Sequence, residues 1–207
     1  MLSTQGYAAM TAKAALQPFL FERREVGPQD VLMMITHCGI CHSDIHQVRD
    51  EWGGSIFPMV PGHEIVGTVT QIGSAVKTFK VGERAGVGCF VDSCHTCGPC
   101  REGSEQYCEA GMLLTYNSRD KDGQPTQGGY STQIVVNEQY VLRIPPSLSS
   151  AGAAPLVVRG HHGLLSAAPL GRRQVSQACS GGIGWTGPYG CEDRQGARNR
   201  SNCLEHL

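Results

Sequence analysis

From Phe21 to Ile35 the chain reads Phe21-Glu22-Arg23-Arg24-Glu25-Val26, then Gly27-Pro28-Gln29-Asp30, then Val31-Leu32-Met33-Met34-Ile35. Apolar runs on either side of a Gly-Pro break predict two strands around a turn. Ile65 to Gly73 alternates only in part, but its β-branched residues predict another strand. Arg84-Ala85-Gly86-Val87 reads as a shorter one, and Gly73, Gly82, Gly86 and Gly88 punctuate this region as a small, strongly bent barrel requires. Residues 115–129 are polar around Asn117-Ser118-Arg119-Asp120-Lys121-Asp122-Gly123 and read as an exposed loop. Strand character returns over Tyr130–Val136 and Tyr140–Ile144, and the barrel is expected to close there, before Pro145-Pro146. Ser147 to Ala154 combines a cap residue with small side chains, so a helix should open near Ser149. The fold class is therefore mainly β. One helical turn is expected at Ser43–His46, where Ser43 and Asp44 can bring their side chains to the Cys41 backbone.

Composition narrows the function classes. The 207 residues carry 17 Lys and Arg against 18 Asp and Glu, so no global field recruits nucleic acid or an anionic membrane surface. An apolar content of 40% is enough for a core. No apolar run approaches the roughly 18 residues of a spanning helix, and no basic segment leads into an apolar N-terminal stretch. A cytoplasmic protein, with no membrane and no nucleic-acid partner, is expected. Ten cysteines in such a setting point to metal binding before disulfides.

Two stretches hold that chemistry. Cys38-Gly39-Ile40-Cys41-His42-Ser43-Asp44-Ile45-His46 and the later Pro61-Gly62-His63-Glu64 gather thiolate, imidazole and carboxylate, all of them zinc ligands. They are not spaced as in a zinc finger. Convergence of one cysteine, one histidine and one glutamate suits an open, catalytic site. The second stretch, Cys94-His95-Thr96-Cys97-Gly98-Pro99-Cys100 with Cys108, has the spacing C-x2-C-x2-C-x7-C. A disulfide pair and an iron–sulfur cluster are the alternatives here. The spacing matches neither common ferredoxin run, and four thiolates around a structural zinc is the reading adopted. Taken singly, Ser43 and Asp44 read equally as helix caps, His46 as a surface histidine, and Trp52 and Phe57 as core. Cys38 is assigned to the core, because a Cys38/Cys41 redox pair would need a βαβ setting that the pattern lacks.

Taken together, these residues resemble the zinc-dependent alcohol dehydrogenases of the medium-chain type, in their cinnamyl-alcohol-dehydrogenase-like branch. The resemblance rests on Cys38 to Asp44, Val60-Pro61-Gly62-His63-Glu64-Ile65-Val66-Gly67, the four-cysteine stretch, Cys100-Arg101-Glu102-Gly103, Glu105-Gln106-Tyr107-Cys108 and Thr115-Tyr116-Asn117. It extends from residue 5 to residue 156. It implies a GroES-like β-barrel catalytic domain over residues 1–156, beside a Rossmann domain that binds NADP or NAD, in a family that is commonly homodimeric and acts on small alcohols or aldehydes. By the resemblance, Cys41 and His63 are catalytic zinc ligands, and Glu64 is the neighbour that approaches the metal during ligand exchange. Cys94, Cys97, Cys100 and Cys108 hold the structural zinc. Ser43 would hydrogen-bond the alcohol, His46 would pass its proton outward, and Asp44 would orient His63. His42 would lie near the cofactor pyrophosphate, and Trp52 and Phe57 would wall an apolar substrate pocket. Zinc in such a site lowers the pKa of an alcohol so that hydride can leave for the nicotinamide.

The resemblance stops at Leu156. Residues 157–207 contain six arginines, no lysine and few branched apolar residues. Gly182-Ile183-Gly184-Trp185-Thr186-Gly187 matches G-x-G-x-x-G, but Pro188 and Gly190 are poor material for the helix that must follow, so no dinucleotide site is assigned. The Rossmann domain is expected to be absent or garbled, the tail is expected to be disordered, and its cysteines are read as incidental. The third zinc ligand of the resemblance falls at Val158. A one-nucleotide shift of reading frame near Leu156 accounts for both features: read one base later, Val158 to Gly163 permits Cys-Ala-Gly-Ile-Thr, and Gly182 to Asp193 permits a glycine-rich fingerprint.

Overall fold

β-branched residues broken at short intervals by glycine and proline give many short strands, and that is what the chain builds. A computed structural model of the chain describes residues 1–158. In chain order the elements are β1 (Leu2–Ala8), β2 (Gln17–Arg23), β3 (Asp30–Gly39), α1 (His42–Val48), β4 (Glu64–Ile72), β5 (Arg84–Val87), β6 (Phe90–Asp92), α2 (Gly98–Arg101), β7 (Leu113–Leu114), β8 (Gln133–Asn137), β9 (Val141–Arg143) and α3 (Ser150–Ala153). The main sheet has the order β8-β3-β4-β5-β9, and β1-β2 and β6-β7 form two smaller antiparallel sheets. No helix among the described residues is long and apolar enough to cross a membrane.

The main sheet must curl, and the connectivity says why. Five flat strands about 4.8 Å apart would leave β8 and β9 roughly 19 Å from each other. Yet only a three-residue 3-10 turn, Glu138–Tyr140, joins them, and at about 2 Å rise per residue it cannot bridge that gap. The two outer strands therefore approach each other at this seam. Val31, Met33, Ile65, Val69, Val87, Ile134, Val136 and Val141 form one buried cluster drawn from all five strands, with Phe79 and Tyr140 added. On the other face of β4, Val66 packs with Ala153, Ala154, Val157 and Val158. β4 is thus buried on both sides, which is why its sequence alternates only in part.

Several expectations change in three dimensions. The ladders hold β8 and β9 at the two ends of an open order, with no pairing between them, so the barrel closes by a turn and not by hydrogen bonds. The strands flanking Gly27–Asp30 exist, but they do not pair with each other: β2 pairs with β1, from Leu2↔Arg23 to Ala8↔Gln17, while β3 pairs with β4 and β8. β1 has no strong apolar alternation and is held by its partners, including Thr132 N–H donating to Gln5 O at 2.8 Å. The strand expected over Tyr130–Val136 begins only at Gln133. The loop at residues 115–129 is exposed only near its tip, since Thr115 and Tyr116 are buried. The helix after Pro146 does open where expected, with the Ser149 hydroxyl accepting from Gly152 N–H at 3.1 Å. The frame hypothesis beyond Val158, the G-x-G-x-x-G match and the expected disorder of the tail all lie outside the described residues.

Candidate functional site

The site is organised by one carboxylate at a helix start. Cys41 is the N-cap of α1 in extended conformation, and Asp44 in the first turn accepts the otherwise unpaired Cys41 N–H at 2.9 Å. Asp44 is therefore the helix's third residue and not its cap. The same buried carboxylate accepts Gly62 N–H at 3.0 Å and faces His63 Nδ1 at 3.2 Å. The Tyr130 hydroxyl donates to it at 3.3 Å, and Tyr116 adds a further side-chain hydrogen bond. Gly62 has to be glycine: its φ is +100°, and a Cβ there would lie 2.6 Å from the Tyr130 ring and 2.8 Å from Cys38 Sγ. The Pro61-Gly62-His63 turn thereby delivers His63 to Asp44.

The electrostatics follow from these contacts. Burial alone would push the Asp44 carboxyl up, but hydrogen bonds from His63, Cys41 N–H and Tyr116 outweigh it and hold Asp44 below the usual carboxylate range. Burial alone would lower His63, yet hydrogen bonds to Asp44 and Cys41 raise it to about 10. The hydrogen bond from His63, with help from Ser43, in turn lowers Cys41. With Nδ1 on Asp44, the other ring nitrogen of His63 is the one left for Cys41. A metal ion held by Cys41 and His63 would take the place of their shared proton, and the Asp44 contact would fix the histidine tautomer that a ligand needs. Cys38 has the opposite environment: burial pushes its thiol up, in keeping with its place against the core.

The remaining expected residues are placed as follows. Ser43 Oγ lies 3.3 Å from Cys41 Sγ. His46 Nδ1 pairs with Glu51, and its ring lies between those of His42 and Trp52, with centroids 4.9 Å from each. Trp52 is 60% exposed, and its ring contact is this stack on His46. Phe57 packs against the buried cluster of Ala9, Val48, Met59 and Tyr116. Glu64 is buried at the start of β4, but it does not join Cys41 and His63 in a group of three donor atoms. Val158 is 6% exposed in the cluster behind β4 and offers no donor atom. A cleft of about 780 Å³ between the β1–β2 sheet and the second half of β3 touches Cys38 and Tyr130 but none of the expected site residues. Sequence reasoning missed Glu51, Tyr116 and Tyr130; the ring of Tyr116 stacks on His63 with centroids 5.7 Å apart.

The second stretch is closed. The sulfurs of Cys94, Cys97, Cys100 and Cys108 all lie within 4.8 Å of one another, and Cys94 and Cys100 are 3.8 Å apart. A tetrahedron with zinc–sulfur bonds of about 2.3 Å has sulfur–sulfur edges of about 3.8 Å, so these four sulfurs fit zinc. All four are free thiols, which sets the disulfide alternative aside. Thr96 N–H and Cys97 N–H donate to Cys94 Sγ at 3.5 and 3.4 Å. Those donors lower Cys94 to about 5, so it is ready to act as a thiolate.

Residues 27–146 match the family described as "Alcohol dehydrogenase GroES-like domain". The NADP-dependent alcohol dehydrogenase C of Mycobacterium tuberculosis is 56% identical over 160 residues, covering 77% of this chain and 46% of that protein. The probable cinnamyl alcohol dehydrogenase of Pinus taeda is 52% identical over 155 residues, covering 75% and 43%. Among solved structures, a cinnamyl alcohol dehydrogenase from Sorghum bicolor is similar with a TM-score of 0.78 and 44% identity, over 81% of this chain and 48% of that one. The Helicobacter pylori structure described as "CAD … complexed with NADP(H)" gives 0.77 and 42% over the same shares. This chain spans about half the length of the relatives it matches.

Proposed function

This chain belongs to the alcohol dehydrogenase GroES-like domain family, and from that premise we propose that it carries the zinc-binding half of a dehydrogenase interconverting small alcohols and aldehydes with NADP, cinnamyl-type substrates among them. The carrying observation is the Asp44 carboxylate, which ties Cys41 N–H, Gly62 N–H and His63 Nδ1 into one buried arrangement. In this reading Cys41 and His63 hold the metal, with Glu64 in reserve, and bound zinc makes an alcohol acidic enough to ionise near neutral pH. Ser43 hydrogen-bonds the alcohol and passes its own hydroxyl proton on to His46 as it takes the substrate's, and His46 Nδ1 faces Glu51 on the outward side. His42, exposed at the first turn of α1, faces the cofactor phosphates. Phe57 borders the substrate and Trp52 covers the His46 ring. We place the protein in the cytoplasm, within a homodimer.

A second reading is favoured by Val158: the chain by itself keeps its four-cysteine zinc and turns over nothing, because the open site lacks a third protein ligand. NADPH consumption with cinnamaldehyde by the purified chain, measured beside its zinc content, separates the two. Turnover supports the enzyme reading for this polypeptide. One zinc per chain without turnover leaves the enzyme reading to the lineage alone. We further propose that a frame change near Leu156 created this state; sequencing of the gene that finds no longer dehydrogenase-like frame one base on would remove that explanation.

A further inference from the structure

The four-cysteine lobe does not stand apart from the sheet. Among its ligands only Cys100 is buried, and its sulfur lies 3.3 Å from Ser93 Oγ. Ser93 is itself 4% exposed. Its oxygen accepts the Tyr140 hydroxyl at 2.7 Å and His95 N–H at 3.4 Å. Tyr140 ends the 3-10 turn joining β8 to β9, and its ring sits in the core cluster inside the curl.

Counting protons fixes the direction of the remaining bond. A serine hydroxyl has one hydrogen and two lone pairs. Here both lone pairs are taken, so the hydrogen is left for Cys100 Sγ. A zinc-bound cysteine is a thiolate and can only accept, so the count and the metal chemistry agree. A donor on a metal-bound thiolate spreads its charge, holds its rotamer and makes the ligand harder to displace.

We propose that Ser93 is a positioning residue of the four-cysteine site, donating its hydroxyl to the Cys100 thiolate while Tyr140 holds it from the seam of the main sheet. This rests on the reading of the lobe as a zinc site and goes beyond it. Retention of the metal and closure of the sheet are then one coupled event: releasing the Tyr140 hydroxyl frees Ser93, and freeing Ser93 loosens Cys100.

The test compares the full chain with Ser93→Ala, Ser93→Thr and Tyr140→Phe. Zinc release is followed with a competing chromophoric chelator, and the thiolate-to-cobalt charge-transfer band is recorded after cobalt replacement. Ser93→Ala should release zinc about 10- to 100-fold faster, the range found when a supporting group of a metal ligand is removed. Its cobalt band should move to lower energy, because a thiolate without a donor gives up an electron more readily; a merely structural cavity would leave the band in place. Ser93→Thr keeps the hydroxyl and should stay close to the parent, and Tyr140→Phe should fall between the two. If Ser93→Ala does not fold, an accelerated release in folded Tyr140→Phe carries the proposal, and an unchanged one overturns it. Unchanged release and an unmoved band in Ser93→Ala also overturn it. A parent chain without a tightly held zinc overturns the lobe reading, and this proposal with it.

Discussion

The four-cysteine lobe and the Cys41–His63 site are both built from short sequence motifs, yet they draw on the chain in different ways. The lobe takes every ligand from a single stretch, Cys94 to Cys108, and its backbone amides supply the donors that ready the first thiolate. The open site takes Cys41 from the start of α1 and His63 from the end of a later loop, and it relies on Asp44 to bring them together. The third ligand that the resemblance implies falls at Val158, which packs with Val66 behind β4. A local ligand set depends on one stretch of chain; a dispersed one depends on several. The difference predicts two metal affinities in one molecule, and each experiment below either widens that gap or removes it.

The largest effect should come from Cys97→Ser. Three thiolates cannot close the tetrahedron, so zinc affinity should fall by more than the ~100-fold that loss of a supporting group gives, and the chain should lose its tight zinc in elemental analysis. The opposite intervention is Val158→Cys. A thiol at this buried position costs about 1 kcal/mol in lost packing, but it should add a second zinc equivalent that resists dialysis. If Val158→Cys still holds one zinc, the missing ligand is not what separates the two regions. Asp44→Asn comes next: it keeps the shape but loses the charge on His63, so zinc at the open site should weaken about 10- to 100-fold, with the lobe unchanged.

A change of pH should move zinc binding in both regions in the same direction. His63 is raised to about 10 by Asp44 and Cys41, so below that pH zinc must displace its proton, and affinity at the open site should rise about tenfold per pH unit through the range 7 to 9. In the lobe Cys94 is held low at about 5 while its neighbour Cys97 is pushed up, so zinc must still displace thiol protons there and its affinity should also rise with pH. The sign for stability is the reverse. A histidine whose folded pKa lies above its unfolded 6.5 stabilises the metal-free chain fully below 6.5, and this contribution is lost as pH rises toward 10. Because the lowered Cys41 contributes with the opposite sign, the His63 contribution is read by difference: in thermal melts of the chelated protein, the Tm lost in His63→Asn should be larger at pH 6 than at pH 10. The smallest effect belongs to Trp52→Ala: the ring is 60% exposed, so stability should change by no more than about 0.5 kcal/mol.

The lobe was the more legible region because its chemistry is written in adjacent residues; cysteine spacing alone named its ligands. The helical turn at Ser43–His46 and the cap at Ser149 were readable for the same local reason. What could not be read came from contacts distant in sequence. Tyr130 reaches Asp44 across 86 positions, and nothing in a polar stretch such as Gly128-Gly129-Tyr130 announces a buried hydroxyl. Tyr116 lies in a segment whose composition says loop, while packing against Ala9, Val48 and Met59 makes its first residues core. β1 escaped notice because its partners make it a strand. Glu51 lies five residues from His46, close enough to have been found, but the turn at Asp50 that brings it back has no strong sequence signal. Closure of the barrel was expected near Tyr140–Ile144, with nothing in the sequence to say how. It is achieved by the Glu138–Tyr140 turn, whose tyrosine then reaches into the lobe through Ser93.

The most direct test of the two-site account is a zinc titration of the purified full chain against a chelator of known affinity, with elemental analysis of the protein after dialysis. The account predicts one zinc retained, lost in Cys97→Ser and kept in Cys41→Ser, with a second equivalent binding far more weakly and dependent on Cys41. Two zincs held with equal affinity, or a retained zinc that disappears in Cys41→Ser and persists in Cys97→Ser, would contradict it.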